Sequence, residues 1–535
     1  MKQILIPALR QNLEDTEESF RTRAAKQLSL RPGDILGLKV VRQSLDARKK
    51  NDLFYSVHCI VTLEDSAARR ILKDPKLHAE TVEEKEQTPL VHGNAPRRGR
   101  IVVAGFGPGG IFGAWLLAKE GYRPLVVERG RDMEHRTADV EAYWRTGFPD
   151  PESNPLFGEG GAGAFSDGKL TSRSKDSRGD LVLELLCKAG APEEILRLSK
   201  PHVGTDKLRE VVQNLRKEIV SMGGEVRFET CLTGLSMAEG TLHTVTLRHK
   251  GQEEKIPCDA LILAIGQGAR DTYTYLYDHG FAMASKPFAV GVRAEHPQSM
   301  VNVSQYGDFA QHPRLGAAEY RLTARNENRG VYTFCMCPGG YVVGSSAKSG
   351  EMVVNGMSYF ARDGENANAA VVVQVSPEDF GTGALDGMRF QQKLEEDAWR
   401  LGGGEGLAPA ARVGDFLRGR KTSVFDGVKP TFRPGVKGAN LSDCLPDFVA
   451  AGLQEGLQVF GRQLKGYDRE DAVLTAVESR TSAPLRILRD EGGQSISHKG
   501  VYPVGEGAGY AGGIVSAAID GLRAAEHIIE RFRAE

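Results

Sequence analysis

The chain has 535 residues, 40% of them apolar and 26% charged. That is an ordinary globular composition, but too many residues for one core. Lys+Arg at 69 and Asp+Glu at 70 leave a net charge of -1, which excludes a global electrostatic pull toward nucleic acid or an acidic membrane. The seven cysteines contain no C-x-x-C, so neither a disulfide framework nor a zinc site is expected, and a reducing cytoplasm fits best.

In chain order, the first ten residues are too short and too polar after Pro7 for a signal peptide. Residues 1–75 read as a small α+β domain. Residues 2–9 suit a strand, and Phe20, Ala24 and Leu28 recur at helical spacing before Pro32-Gly33. Residues 35–41 and 53–63 suit two strands, and in the second Tyr55, Val57, Cys59, Val61 and Leu63 alternate onto one face. A short helix is expected at 66–72. Residues 76–97, with Pro89, Pro96 and the acidic run Glu83 to Glu86, read as a linker.

A strand at 101–104 runs directly into Gly105-Phe106-Gly107-Pro108-Gly109-Gly110. A helix at 111–120 and a strand at 125–127 follow, closed by Glu128 and Arg129. This is G-x-G-x-x-G in a βαβ setting, with the acid 18 residues after the last glycine. Gly105 permits the tight turn, Gly107 lets the backbone approach a pyrophosphate, and Gly110 permits close helix–strand packing. The helix N-terminus offers free N–H groups and a positive dipole to phosphate. Glu128 is placed to accept from ribose hydroxyls. Residues 101–118 carry no charge, but their glycines make strand–turn–helix the better reading than a membrane span.

Three further segments point to FAD rather than NAD. The loop at 156–170 contains Gly161, Gly163, Asp167, Gly168, Lys169 and Leu170, so main chain can pass close to a flat ring. After a helix at 205–222 and a strand at 226–228 comes Thr230-Cys231-Leu232, where backbone can meet adenine. Another strand then ends on Ile265-Gly266. The last segment places Gly505-Glu506 and Gly512-Gly513-Ile514 before a helix at 515–530. Glu506 can take a ribityl hydroxyl, and the helix N-terminus can face the edge of the flavin where charge accumulates on reduction.

With Glu478-Ser479-Arg480-Thr481-Ser482-Ala483-Pro484, these segments resemble the bacterial family of uncharacterised FAD-dependent dehydrogenases among the glutathione-reductase-like flavoproteins. Related flavoproteins often carry Gly-Asp where this chain has Gly505-Glu506. The resemblance implies a Rossmann-like, doubly wound α/β FAD-binding domain in two parts, 98–281 and 440–535. A mixed β-rich substrate or cap domain, 282–439, would be inserted between them. It implies no substrate.

No catalytic side chain stands out. Cys335-Met336-Cys337 would point both thiols to one side of an extended segment, as a redox role would need. Two small apolar residues in a strand before Pro338-Gly339 is the simpler reading. His202, His279, His296 and His312 are scattered, so structural roles are expected and no metal. Lys169, Arg173 and Arg293 are candidate anion-binding cations. Gly402 to Gly406 follows a helix and reads as its stop, so NAD(P)H would visit only as a transient reductant.

The expectation is a flavin-dependent oxidoreductase acting on a small molecule by hydride transfer through flavin N5, with a partner protein or electron carrier an open possibility. One alternative is an RNA-modifying flavoprotein, but the first 97 residues hold 17 basic against 14 acidic residues, too even for an RNA footprint. Another is a non-catalytic flavin-binding scaffold.

Overall fold

The computed structural model describes residues 1–82, 89–172, 174–326 and 329–534. The N-terminal sheet is antiparallel, in the order Gly37–Asp46, Phe54–Leu63, Lys2–Asn12, Glu80–Thr81. Helices Glu17–Gln27 and Asp65–Leu72 cover one face. Val57, Cys59, Val61 and Leu63 are buried there against Phe20 and Ala24, as period-two alternation requires. Thr16 caps the first helix by accepting from Ser19 N–H.

The segment expected to be a linker is partly structured. Glu80–Thr81 pairs with Ile4 and Leu5 as an edge strand. Gly93 N–H donates to Ile529 O at 2.8 Å and Arg533 N–H to Ala95 O at 3.1 Å, tying the segment to the end of the C-terminal helix. The acidic run Glu83 to Glu86 lies outside the described residues. The unit docks on the rest of the chain. Tyr55 Oη donates to Arg314 O at 2.6 Å, and Gln43 pairs with the backbone of Arg197 and Ser199.

The second sheet has a parallel core in which Glu225–Arg227, Leu125–Val127, Arg100–Ala104, the second half of Gln252–Leu263 and Val501–Pro503 lie side by side. Strand Gln252–Leu263 changes partners midway. Its first half pairs antiparallel with Thr241–His249, and its second half joins the parallel core. Both faces are buried, so the parallel strands read as apolar runs rather than alternations. Val103, Val126 and Ile262 face the helices Pro108–Lys119, Gly204–Ser221 and Ile514–Arg531. Val102, Val127 and Leu263 face the other way, toward the antiparallel ribbons.

The third sheet runs in the order Thr323–Asn326, Arg329–Cys337, Asn366–Val375, Phe288–Pro297, Val473–Glu478, Ala408–Arg412, Val436–Gly438. Helices Asp386–Leu401 and Asp447–Gln463 pack on it. This displaces the expected boundary at 439/440. Strand Val473–Glu478 pairs with Phe288–Pro297, and Leu441, Val449 and Leu457 belong to the same core. A six-residue, fully buried and mostly apolar strand suits the centre of either sheet, and periodicity does not say which. After that strand, Leu485–Ile487 pairs with the outgoing Met283–Ser285 as a separate two-stranded sheet, and the chain rejoins the second sheet at Val501–Pro503.

Candidate functional site

A cleft of about 410 Å³ opens at the carboxyl ends of the parallel strands and reaches the third sheet, the usual ligand position in such folds. Two helix N-termini face it. Pro108–Lys119 begins at Gly107 and Ile514–Arg531 at Gly513, and no side chain caps either one. Their leading N–H groups are therefore free for an acceptor. The helices cross closely: a Cβ on Gly521 would meet Gly109 O at 2.0 Å.

The fingerprint glycines divide by role. Gly105 has φ +100°, and a Cβ there would meet Ala264 O at 2.2 Å. One on Gly110 would meet Gly105 O at 1.9 Å. Both are demanded by the protein's own packing. At Gly107 the nearest protein atom to a Cβ would be Gly161 Cα at 3.7 Å, and at Gly512 nothing lies within 4 Å. The space beside those two is cleft.

At one end, Glu128 Oε2 accepts from Phe106 N–H at 2.8 Å, and Oε1 accepts from Gly130 and Gly158 N–H at 2.9 and 2.8 Å. A carboxylate has roughly four acceptor positions, so about one is left for a ribose hydroxyl. Arg129 stacks on Phe157 at 4.3 Å and pairs with Glu152 and Asp271. Burial opposes its charge, but the two carboxylates outweigh that and raise its pKa. Thr230, Cys231 and Leu232 line this end.

Gly161, Gly163, Gly168, Gly266, Gly505, Gly512, Gly513 and Ile514 also line the cleft, Gly161 directly against Gly107. Gly505 N–H donates to Asp520, which Arg489 holds at 2.7 Å. Asp167 is buried beneath Arg362, with Nη2 at 2.5 Å, while Lys169 Nζ lies 3.6 Å from it. Gln267 Nε2 donates to Glu506 Oε1 at 2.8 Å. Burial pushes the Glu506 carboxyl up to about 7, against the pull of Lys286.

That shift has a consequence for stability. The folded state holds the Glu506 proton more tightly than the unfolded chain, whose value is about 4.5. Stability of the apoprotein is therefore expected to fall as pH rises from about 4.5 to about 7, and to level off above. Glu506→Gln is expected to flatten part of that slope in a pH series of thermal melts. Buried Glu295, also pushed up to about 7, retains its own share. An unchanged slope in Glu506→Gln would remove the carboxyl from this account.

The family-like segment at 478–484 crosses into the same cleft. Arg480 pairs with Glu395 at 2.8 Å and Glu351 at 3.3 Å. Arg270 reaches the same two acids at 2.8 and 3.2 Å. Ser479 Oγ donates to Glu395 at 2.7 Å. Burial would raise Glu395, but Arg480 and Arg270 outweigh it and hold the carboxyl below its usual range. Thr481 Oγ1 donates to Ala289 O at 2.8 Å. Sequence patterns carry no signal for Glu395, Arg270 or Gln267, whose partners lie far away in the chain.

Two expected site residues lie elsewhere. Gly110 is buried inside the fingerprint helix and Leu170 in the core behind the glycine loop. The others of that set, with Pro108 and Gly109, line the cleft. Arg293 is fully buried and committed to Glu478, Asn368 and the Cys335 carbonyl, so it is no free anion-binding cation. Arg173 lies outside the described residues. His202 stacks on Phe360, His279 on Tyr275, and His312 meets Glu14. His296 lies against Tyr467 O at 2.6 Å. Gly402 follows helix Asp386–Leu401 as its cap, and among the described residues no helix is long and apolar enough to cross a membrane.

The cleft's own atoms fit FAD. Two uncapped helix N-termini, at Pro108 and Ile514, face it side by side about Gly163, and two buried polar atoms on its wall, Gln267 Oε1 and Arg480 Nη1, have no partner. Comparison with known proteins agrees. The family described as "FAD-dependent protein, C-terminal domain-like" matches residues 287–481, and a domain of unknown function matches residues 1–62. An uncharacterized protein of Clostridium beijerinckii is 49% identical over 526 residues, covering 97% of each chain. The chain belongs to the family of that protein. The match at 287–481 coincides with the third sheet, including its late strand Val473–Glu478.

Solved structures superpose loosely. E. coli quinol fumarate reductase FrdA gives a TM-score of 0.37 at 10% identity, over 81% of this chain and 70% of that one. CtdE in complex with FAD gives 0.32 at 10%, over 81% and 84%.

Proposed function

We propose that the protein is an FAD-dependent oxidoreductase of the glutathione-reductase-like kind, a dehydrogenase or reductase of a small molecule. The observation that carries this is one cleft joining both uncapped helix N-termini to the wall of the third sheet. In this reading Gly107 and the Pro108–Lys119 helix hold the pyrophosphate, Glu128 and Leu232 the adenosine end, and Glu506 the ribityl chain. Bound FAD supplies two-electron chemistry at N5.

The chain's own residues do the rest. The N-terminus of Ile514–Arg531 presents N–H groups and a positive dipole where negative charge collects on reduction. Lys169 adds a cation on the same wall. The Arg270–Arg480–Glu351–Glu395 network holds the third sheet against the cleft, so that a small substrate would be enclosed between sheet and flavin. NAD(P)H is the expected transient reductant.

The purified protein is expected to show a flavin spectrum that bleaches on anaerobic mixing with NADH or NADPH. A colourless protein that takes up no FAD would sink the reading. Bound flavin that neither nucleotide reduces would leave a cofactor without this donor and would favour a separate electron carrier.

A further inference from the structure

Cys335 and Cys337 play no part in the reading above, and their surroundings set them apart from the chain's other buried thiols. Cys59, Cys258 and Cys444 are buried, and burial pushes each up to about 12. Cys335 instead lines the cleft, beside Lys169 on the facing glycine loop. Arg293, fully buried behind it, donates to the Cys335 carbonyl at 2.6 Å and reaches Cys337 Sγ at 3.5 Å. The Cys337 thiol donates to the Cys335 carbonyl oxygen at 3.4 Å, so the same carbonyl is held by Arg293 and by the second cysteine.

The backbone is shaped around the pair. Strand Arg329–Cys337 slips register between Phe334 and Cys337, and Cys335 takes φ +44°, a left-handed conformation unusual for a residue with a side chain. The neighbouring Cys337 thiol, then Lys169 and Arg293, pull the Cys335 thiol below its usual range against its burial, while Cys337 is pushed up. Of the two, Cys335 is the sulfur favoured as thiolate and Cys337 the one favoured as thiol.

We infer that Cys335 and Cys337 form a dithiol–disulfide couple that exchanges an electron pair with the flavin of this cleft, with Cys335 as the sulfur facing it. The inference rests on the flavin reading above. On oxidation the Cys337 S–H bond breaks and a Cys335–Cys337 S–S bond forms. Two electrons and that proton leave the sulfur pair, and oxidised flavin accepts them as its reduced anion. In the reverse direction reduced flavin cleaves the disulfide, and Lys169 and Arg293 receive the regenerated thiolate. The cleft then stores two electron pairs.

Anaerobic dithionite titration of the holoprotein tests this. Wild type, starting oxidised, is expected to take four electrons per flavin instead of two. At the half-way point it should show a long-wavelength absorption from thiolate beside oxidised flavin. Cys337→Ser should keep that absorption but take only two electrons; Cys335→Ser should lose both features. Wild type that is fully reduced by two electrons, without the absorption, overturns the inference.

A second readout needs no flavin. Mild oxidation of the apoprotein with diamide should remove two hydrogens from the one peptide holding both cysteines, seen by mass spectrometry. If the protein binds no FAD, the flavin reading falls by itself. Absence of the Cys335–Cys337 disulfide in the oxidised apoprotein overturns the couple.

Discussion

A Gly107→Val variant is expected to fold normally and to bind FAD at least about 100-fold more weakly than wild type. Gly107 separates the two consequences of a side chain unusually well. A Cβ at this position would meet protein only at 3.7 Å, on Gly161 Cα, so the apoprotein should tolerate it. The same Cβ and its methyls would project into the space beside the uncapped N-terminus of Pro108–Lys119, where the pyrophosphate would have to approach. Overpacking such an approach costs about 1–3 kcal/mol, and lost N–H contacts add to it. About 2.8 kcal/mol corresponds to 100-fold in affinity. Equilibrium binding of FAD followed by flavin fluorescence, with circular dichroism as the control for folding, measures both quantities. A folded variant that keeps stoichiometric FAD would show that the cleft is not where the pyrophosphate sits.

Glu395→Ala is expected to be the most destabilising single change near the site, by roughly 3–5 kcal/mol. Glu395 is fully buried between Arg270 and Arg480 and also accepts from Ser479. Its removal leaves two buried guanidinium groups with Glu351 as the remaining acid among their partners, and breaking a buried pair costs about this much because a charge is left uncompensated. Glu395→Gln keeps the shape and some hydrogen bonds, so it should cost less, about 2 kcal/mol. Guanidinium melts give the magnitude. Hydrogen exchange in helix Asp386–Leu401, which carries Glu395, shows where the loss falls. Equal melts for wild type and Glu395→Ala would mean the network contributes nothing to stability.

The contrast between Gly107 and Glu395 shows what was legible in the sequence. The fingerprint was legible because local geometry imposes its spacing: Gly105 needs a positive φ, and Gly110 must lie against Gly105 O. Such constraints act within a few residues and leave a pattern. The glycine loop and Gly505 to Ile514 were legible for the same reason. Glu395 meets Arg480 across 85 residues, and an ion pair between separate elements leaves no periodicity. Arg480 stood in a recognisable segment, yet nothing local named its partners. The third sheet was misjudged at its end because Val473–Glu478 is buried on both faces, a pattern that central strands of either sheet share. The C-x-C was visible as a spacing, but the register slip that shapes the backbone at Cys335 depends on pairing with Asn366–Val375.

The order of the strands also bears on how the protein comes into being. The parallel core starts at Arg100–Ala104 but is completed by Val501–Pro503, and the second uncapped helix starts at Ile514. A nascent chain thus has the pyrophosphate turn early, while the wall that would face the flavin ring arrives only with Val501–Pro503 and Ile514–Arg531. The cleft is therefore complete only after Val501–Pro503 has paired with Gln252–Leu263, and until then the apolar cores of the three sheets must hold the earlier elements in place.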